Sequence, residues 1–570
     1  MRSLDPHAVR LTELRLAAHE QRIDRRSFLA RALALGIAAP AAAAMFRTYA
    51  AAAPLAQEAR KTGEIVVTSG GSASTMSEED LAGAKSGGTL RFGRLADSNN
   101  LDPVTNDGNV NIWILTNIYD TLVRVGLDGA SLEPALAESW TMSDDGLVYT
   151  FTLRSGVMFS DGTPMTSKDV KFSWVRAAND PNQIWTFTLT ALGRDADGQV
   201  EGIETPDDAT VVVTLPQPWA PFLSDVAMFN MSVVSEAFAG KDEAKLVDQA
   251  MGTGPFALKE WKKGESITLV KNPNYWEAGL PYLDQVDVMI VPDDNARVLQ
   301  LQGGELDAMG DVPSSRLAEL GADANLKVLA FPSTFSQYVT INNREAPLDD
   351  VHARRALQYA TDKQTLIDVV LFGQGEVATT FMPKGSLFWN ETLEGFPYDV
   401  EKAKAELAQS KTPDGFAFEL QTVAGSDDQT MLATALKDMW SQIGVDVTIA
   451  PTESGVVNDN YNAHSFQAMI NSWTNDIIDP DELVSYAILP ESSEAFQTGW
   501  TDVEAVDLAR KGAGEPDDAK RKEIYYRIQE IYNEQSPMIL LYHKPYLVVT
   551  TSNVHNMQQP PTGQWVWGRT

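Results

Sequence analysis

Apolar residues alternate with polar ones at several points along the chain, and between those points they recur every three or four positions. Gly88-Thr89-Leu90-Arg91-Phe92-Gly93 has the period of a strand and runs into the turn Asn99-Asn100-Leu101-Asp102-Pro103. Ile112, Leu115, Ile118 and Leu122 then repeat at helical spacing. Trp140 on one side of Ser143-Asp144-Asp145-Gly146, and Tyr149, Phe151 and Leu153 on the other, predict a β-hairpin. After the turn Asp161-Gly162-Thr163-Pro164, Ser167 is placed to cap a helix carrying Val170, Trp174 and Val175. Strands are expected at 210–215, 266–270, 286–291, 445–449, 468–470 and 538–542, and helices at 296–302, 351–370, 430–443 and 518–534. Helices and strands alternate throughout without an internal repeat, which predicts a mixed α/β fold in several lobes.

A chain of 570 residues is long enough for two to four such lobes. The 45 Lys and Arg stand against 78 Asp and Glu, a formal net charge of −33. That field repels a polyanion, so neither nucleic acid nor an acidic membrane surface is an expected partner. Cysteine is absent, which removes disulfides, thiol nucleophiles and thiolate metal sites together. Of six histidines, His352, His464, His543 and His555 lie beyond the first 60 residues and show no paired ligand spacing, so neither a metal nor another cofactor is expected.

Residues 1–60 differ in kind from the rest, with nine arginines, five acids and no lysine. Asp24-Arg25-Arg26-Ser27-Phe28-Leu29 precedes an alanine-rich apolar run from Ala32 to Phe46, which resembles a twin-arginine export signal. A membrane span needs about 20 strongly apolar residues, more than this run offers. Residues 1–53 are therefore expected to be a signal peptide. Residues 54–86, rich in Gly, Ser, Ala and Glu, are expected to be a flexible linker.

From there the motifs accumulate in order. Leu136-Ala137-Glu138-Ser139-Trp140, Phe159-Ser160-Asp161-Gly162-Thr163-Pro164, Gly252-Thr253-Gly254-Pro255-Phe256, Lys271-Asn272-Pro273-Asn274-Tyr275-Trp276, Gly304-Glu305-Leu306-Asp307 and Ile341-Asn342-Asn343 stand in one series. Together they resemble the peptide/nickel/opine substrate-binding proteins of ABC importers, over residues 87–570. The resemblance implies a type II periplasmic-binding-protein fold, a Venus flytrap that closes on ligand without covalent chemistry. It implies a discontinuous first lobe at 87–128, 196–332 and 541–570, a small subdomain at 129–195 and a second lobe at 333–540. It also implies a periplasmic protein that hands its cargo to an inner-membrane permease. With its acidic surface and no evident apolar stripe, the protein is expected to be a monomer.

The resemblance also suggests a site. Peptide-binding relatives carry Gly-Trp-x-x-Asp where this chain has Ser472-Trp473-Thr474-Asn475-Asp476, and the tryptophan lines the pocket while the aspartate grips the peptide's ammonium. Trp473 and Asp476 match, and Ser472 replaces the glycine. A carboxylate in a closing crevice loses its hydration, and a cationic amine restores it through a charge-assisted hydrogen bond. The bland alternative is that Asp476 caps a turn or the following helix. Ser98 and Asn99 fall in the first crevice loop and offer hydrogen bonds to ligand or to their own turn. Tyr338 falls where the chain crosses between lobes and is a candidate for stacking on ligand. Arg354 and Arg355 read as ion-pair partners of nearby acids. No arginine occurs between Arg355 and Arg510, so a fixed partner for a ligand carboxylate is missing from the second lobe. That favours a longer peptide whose far end protrudes, or a cationic ligand lacking a carboxylate, over strict dipeptide recognition. The leading expectation is a peptide-import receptor, and the alternative is a receptor for an opine, a nickel chelate or another small cationic solute. Enzymatic motifs are lacking: there is no Gly-x-Ser-x-Gly, His-Glu-x-x-His or phosphate loop.

Overall fold

The computed structural model describes residues 66–67 and 85–570, apart from 106–107, 182–184, 186–187, 190, 241, 385 and 492–495. The expected signal peptide lies outside the described residues. Among those described, no helix is long and apolar enough to cross a membrane.

Three larger sheets, beside two small two-stranded ones, organise the described residues. The first has eight strands in the order 66–67, 326–331, 546–551, 308–309, 89–94, 285–290, 266–271 and 256–262. The second has six, in the order 376–377, 538–543, 336–341, 468–473, 416–423 and 445–452. A smaller sheet of four strands, 137–142, 148–153, 210–214 and 203–207, has its own core around Phe151, Trp174 and Phe222. The alternation read from the sequence follows from this layering, since each strand turns one set of side chains into a core: in Val148–Leu153, Tyr149, Phe151 and Leu153 are the buried set.

The sheets depart from the expected boundaries in specific ways. Strands Ile203–Asp207 and Thr210–Thr214, expected with the first lobe, belong instead to the small sheet: Thr210–Thr214 pairs with Val148–Leu153, and Ile203–Asp207 pairs with Thr210–Thr214 at the edge. Strand Met538–His543, expected to be split at residue 541, belongs wholly to the second sheet. Within the stretch expected to be a flexible linker, Val66–Val67 pairs in parallel with Leu329 and Ala330 at the edge of the first sheet. The single helix expected at 351–370 is two, Val351–Ala360 and Lys363–Val370. Asp362 ends the continuity by capping the second, its carboxylate accepting from the Thr365 N–H at 3.0 Å. The helix at 167–179 is capped by Thr166 rather than Ser167, in a reciprocal box with Asp169.

Two short crossings join the lobes, between Phe331 and Ser336 and between His543 and Tyr546. They lie side by side. The Ser333 hydroxyl donates to the Lys544 carbonyl, and Ser336 Oγ sits 3.0 Å from His543 Nδ1. Paired crossings of this kind form a hinge, because a few residues absorb the rotation of two rigid sheets. The small sheet's lobe also reaches the second one: Ala220 N–H donates to the Ala513 carbonyl at 2.8 Å, and Ala513 is part of the small lobe's core.

Candidate functional site

Strand Ala468–Trp473 runs antiparallel to Ser336–Ile341, with Trp473 opposite Ser336, so it ends beside the hinge. The loop that follows is pinned there. Asn475 N–H donates to Thr334 Oγ1 at 2.9 Å, and Thr334 N–H donates to the Pro561 carbonyl at 2.9 Å, so one hinge residue ties the loop to the first lobe's C-terminal segment.

In that loop Asp476 is 3% exposed and contributes to the wall of a cavity of about 430 Å³, within the range of small-ligand pockets. Its Oδ1 caps nothing, being buried without a hydrogen-bond partner. The turn is served by others. The N–H groups of Asp476 and Ile477 both donate to Glu482 Oε2, at 2.9 and 3.0 Å, and Asp479 accepts from the Asp481 N–H at 3.0 Å. Asp479 is also gripped by both terminal nitrogens of Arg521 at 2.9 Å. Burial pushes the Asp476 carboxyl up to about 8. Glu482 is pushed well above the usual carboxylate range, first by burial and then by the charge of Asp476.

The first lobe, with Glu133 from the start of the small one, supplies the rest of the cavity's charge. Glu277 is shared by Arg124 and by Arg569, the latter at 3.2 Å, and Arg124 also reaches Glu133 at 3.3 Å. Asp120, on the same wall, accepts from Trp276 Nε1 at 3.0 Å and Thr253 Oγ1 at 2.9 Å. Arg154 also lies over the Trp276 ring, 4.7 Å from its centroid. A Cβ at Gly254 would come within 2.6 Å of the Ile118 carbonyl carbon, so only glycine lets this segment pack against the wall.

The other expected site residues divide. Trp473 is partly buried in an aromatic group with Tyr486 at 4.8 Å, Phe496 at 5.1 Å and Trp185 of the small lobe at 6.5 Å. Thr474 is buried next to the Tyr546 hydroxyl, and Ser472 is exposed. Tyr338 is buried against Phe496, ring centroids 5.7 Å apart, which is core packing and not an open stacking surface. Ser98 is consumed by its own chain: it accepts from Arg94 and donates to the Val110 carbonyl, each at 3.0 Å. Asn99 is exposed, its N–H bonded to Asn111 Oδ1 at 2.9 Å. None of these six lines the cavity that Asp476 faces.

Residues 131–493, more than half of the chain, match the bacterial extracellular solute-binding proteins, family 5 middle. The chain belongs to that family. A probable D,D-dipeptide-binding periplasmic protein of Escherichia coli K12 is 29% identical to this family 5 protein over 484 residues, covering 82% of this chain and 90% of the relative. The heme-binding protein A of Haemophilus influenzae is 31% identical over 470 residues, covering 78% and 85%. An ABC transporter-associated periplasmic binding protein of Helicobacter pylori, solved with the peptide STSA, superposes with a TM-score of 0.75 at 28% identity, covering 83% of this chain and 95% of that one. The expected type II periplasmic-binding-protein fold is therefore the observed one. Members of this family bind small solutes and work with ABC permeases.

Proposed function

We propose that this family 5 protein captures peptides in the cleft beside its hinge, holding the N-terminal ammonium on Asp476, and delivers them to an ABC permease. The carrying observation is that Asp476 contributes to the cavity wall while its Oδ1 is buried without a hydrogen-bond partner. A desolvated carboxyl oxygen without a donor is costly, and an ammonium supplies both the N–H and the charge it lacks. Two of the relatives named above, from Escherichia coli and Helicobacter pylori, are described with a dipeptide and a peptide, in keeping with this reading. The protein acts in the periplasm as a monomer, after export by the twin-arginine route, and changes no covalent bond of its guest.

Thermal denaturation with di- and tripeptides and with their N-acetylated forms tests this. Free peptides raise the melting temperature by a stabilisation of RT ln(1 + [L]/Kd), roughly 2.7 kcal/mol at a hundredfold excess over Kd, and acetylated ones do not. Asp476→Asn weakens the free peptides by about 1.5–3 kcal/mol with the fold intact. Equal shifts from free and acetylated peptides would remove the amine from the site.

A further inference from the structure

Glu482 lies in the first turn of helix Asp481–Ile488 and is fully buried. Two backbone N–H groups fix its Oε2, while Oε1, like Oδ1 of Asp476, is buried with no partner. The two acids adjoin: the Asp476 N–H donates to Glu482 Oε2 at 2.9 Å, and the charge of Asp476 raises Glu482 further. The groups around them come from several elements. Tyr486 follows one turn later on the same helix, and Asp225 approaches from the small lobe's helix Phe222–Val226. Tyr546 brings its hydroxyl from the first sheet. Beyond Asp225 stand Asp481 and Asp479, the latter already paired with Arg521. Across the cavity, Arg124 and Arg569 are held by Glu133 and Glu277, and Asp120 and Asp128 add negative charge.

Ionising both of two adjoining desolvated carboxylates is costly, which favours keeping a proton on the pair. Of the two, Asp476 contributes to the cavity wall, and its orphaned oxygen lacks what a cation with N–H donors would supply. We propose that Asp476 and Glu482 share a proton in the empty cleft and lose it to solvent when a ligand ammonium seats, so that each capture releases about one proton and Glu482 sets the pH window of binding. This rests on the assignment of the ligand amine to Asp476. The balance is simple: the carboxyl O–H bond breaks, its proton goes to a buffer base, and ammonium N–H groups donate to the carboxylate left behind.

Below the titration of the pair, affinity then falls about tenfold per pH unit, because each binding event must expel a proton. Burial places Asp476 at about 8, close to the ordinary α-amino range of about 7.7–8.0, so affinity is bell-shaped. The acid limb belongs to the protein and the alkaline limb to the ligand.

Glu482→Gln is the discriminating change, since the Gln oxygen still accepts the two N–H bonds but carries no charge. The first readout needs no ligand. Infrared titration of the empty protein follows the protonated-carboxyl band that Asp476→Asn removes. A midpoint near pH 8 in the unaltered protein, lowered by at least a unit in Glu482→Gln, is expected. An unmoved midpoint, or an Asp476 already ionised at pH 6, overturns the proposal. The second readout is calorimetry with trialanine at pH 7 in phosphate and in Tris. About one proton released per peptide, falling by at least half in Glu482→Gln, is expected, and equal release overturns it. Should Asp476→Asn fail to fold, this second readout decides. Should trialanine not bind, the infrared titration decides, and further failure of other free peptides counts against the peptide reading and not against the shared proton.

Discussion

The two lobes bring charge to the same cavity in opposite ways. On the first lobe's wall, Arg124 and Arg569 flank Glu277, Glu133 takes up Arg124's remaining reach, and Asp120 has two donors. In the second lobe a run of seven positions carries both outcomes: Asp479 is bound bidentately by Arg521, whereas Asp476, Asp481 and Glu482 each keep an oxygen with no partner, and of these three Asp476 reaches the cavity wall. Folded proteins leave few buried polar groups unsatisfied, because each costs desolvation without return. Charge that is paired within the chain holds the fold together. Charge left unpaired at a cavity wall is kept for something that arrives from outside.

The contrast breaks most visibly at Arg521. Both Arg521 and Asp479 are buried, and Arg521 also donates to the Gly512 carbonyl at 3.0 Å. Arg521→Met leaves Asp479 desolvated and uncompensated, next to Asp481 and Asp225, and destabilises the protein by about 3–5 kcal/mol in urea unfolding. Asp476→Asn, only three positions from Asp479, costs nothing measurable in the same assay, since no N–H or cation of the protein is paired with its Oδ1. A comparable loss from both variants would erase the distinction between paired and kept charge.

A smaller effect follows from the acids that face one another across the second and small lobes. Burial, and then the charge of Asp479, pushes Asp481 up to about 7. Its unfolded value is about 3.9, so between those limits the folded protein binds more protons than the unfolded chain. The stabilisation is complete below about pH 4 and is lost as pH rises through about 7, at a slope of on the order of 1 kcal/mol per pH unit for a single group. Asp225, raised well above its usual range by burial and then by Asp481, adds to the same slope. Unfolding free energies at pH 5, 6, 7 and 8 therefore decline in the unaltered protein, and less steeply in Asp481→Asn. An identical slope in the two would show that Asp481 ionises freely in the folded state.

The fold was legible wherever a single element carries its own signal. The hairpin at 137–153, the strand Thr89–Arg94 and the helix Asp518–Gln535 stand where periodicity and turns place them. Domain limits were less so, because membership of a sheet depends on a distant partner: nothing local says that Thr210–Thr214 pairs with Val148–Leu153. Asp476 and Trp473 came from one compact motif, and the structure brings both to the hinge. Ser98, Asn99 and Tyr338 came from position in the chain alone, which cannot tell a residue beside the cleft from one turned into its own loop or core. Arg354 shows the same limit. It is read as an ion-pair partner, yet it donates to the carbonyls of Leu348, Gln535 and Ser536 and closes the end of the long helix. Glu482 had no signal at all, since its role depends on two N–H groups whose direction only the folded loop defines.

The absence of arginine from the middle of the second lobe raised the question of a ligand carboxylate, and the first lobe's wall offers a way to answer it. Arg569 is 37% exposed and shares Glu277 with Arg124, so Arg569→Ala leaves Glu277 with one partner. As a half-exposed pair it is worth less than about 1 kcal/mol to stability. If both arginines are wholly occupied with Glu277 and Glu133, affinities for a tripeptide and its C-terminal amide drop together in Arg569→Ala, by less than about twofold, given how little a half-exposed pair contributes. A drop of tenfold confined to the free carboxylate form would mean that Arg569 exchanges Glu277 for the ligand. The first lobe would then hold charge for a guest as the second does, and recognition would grip both ends of a short peptide instead of its amine alone.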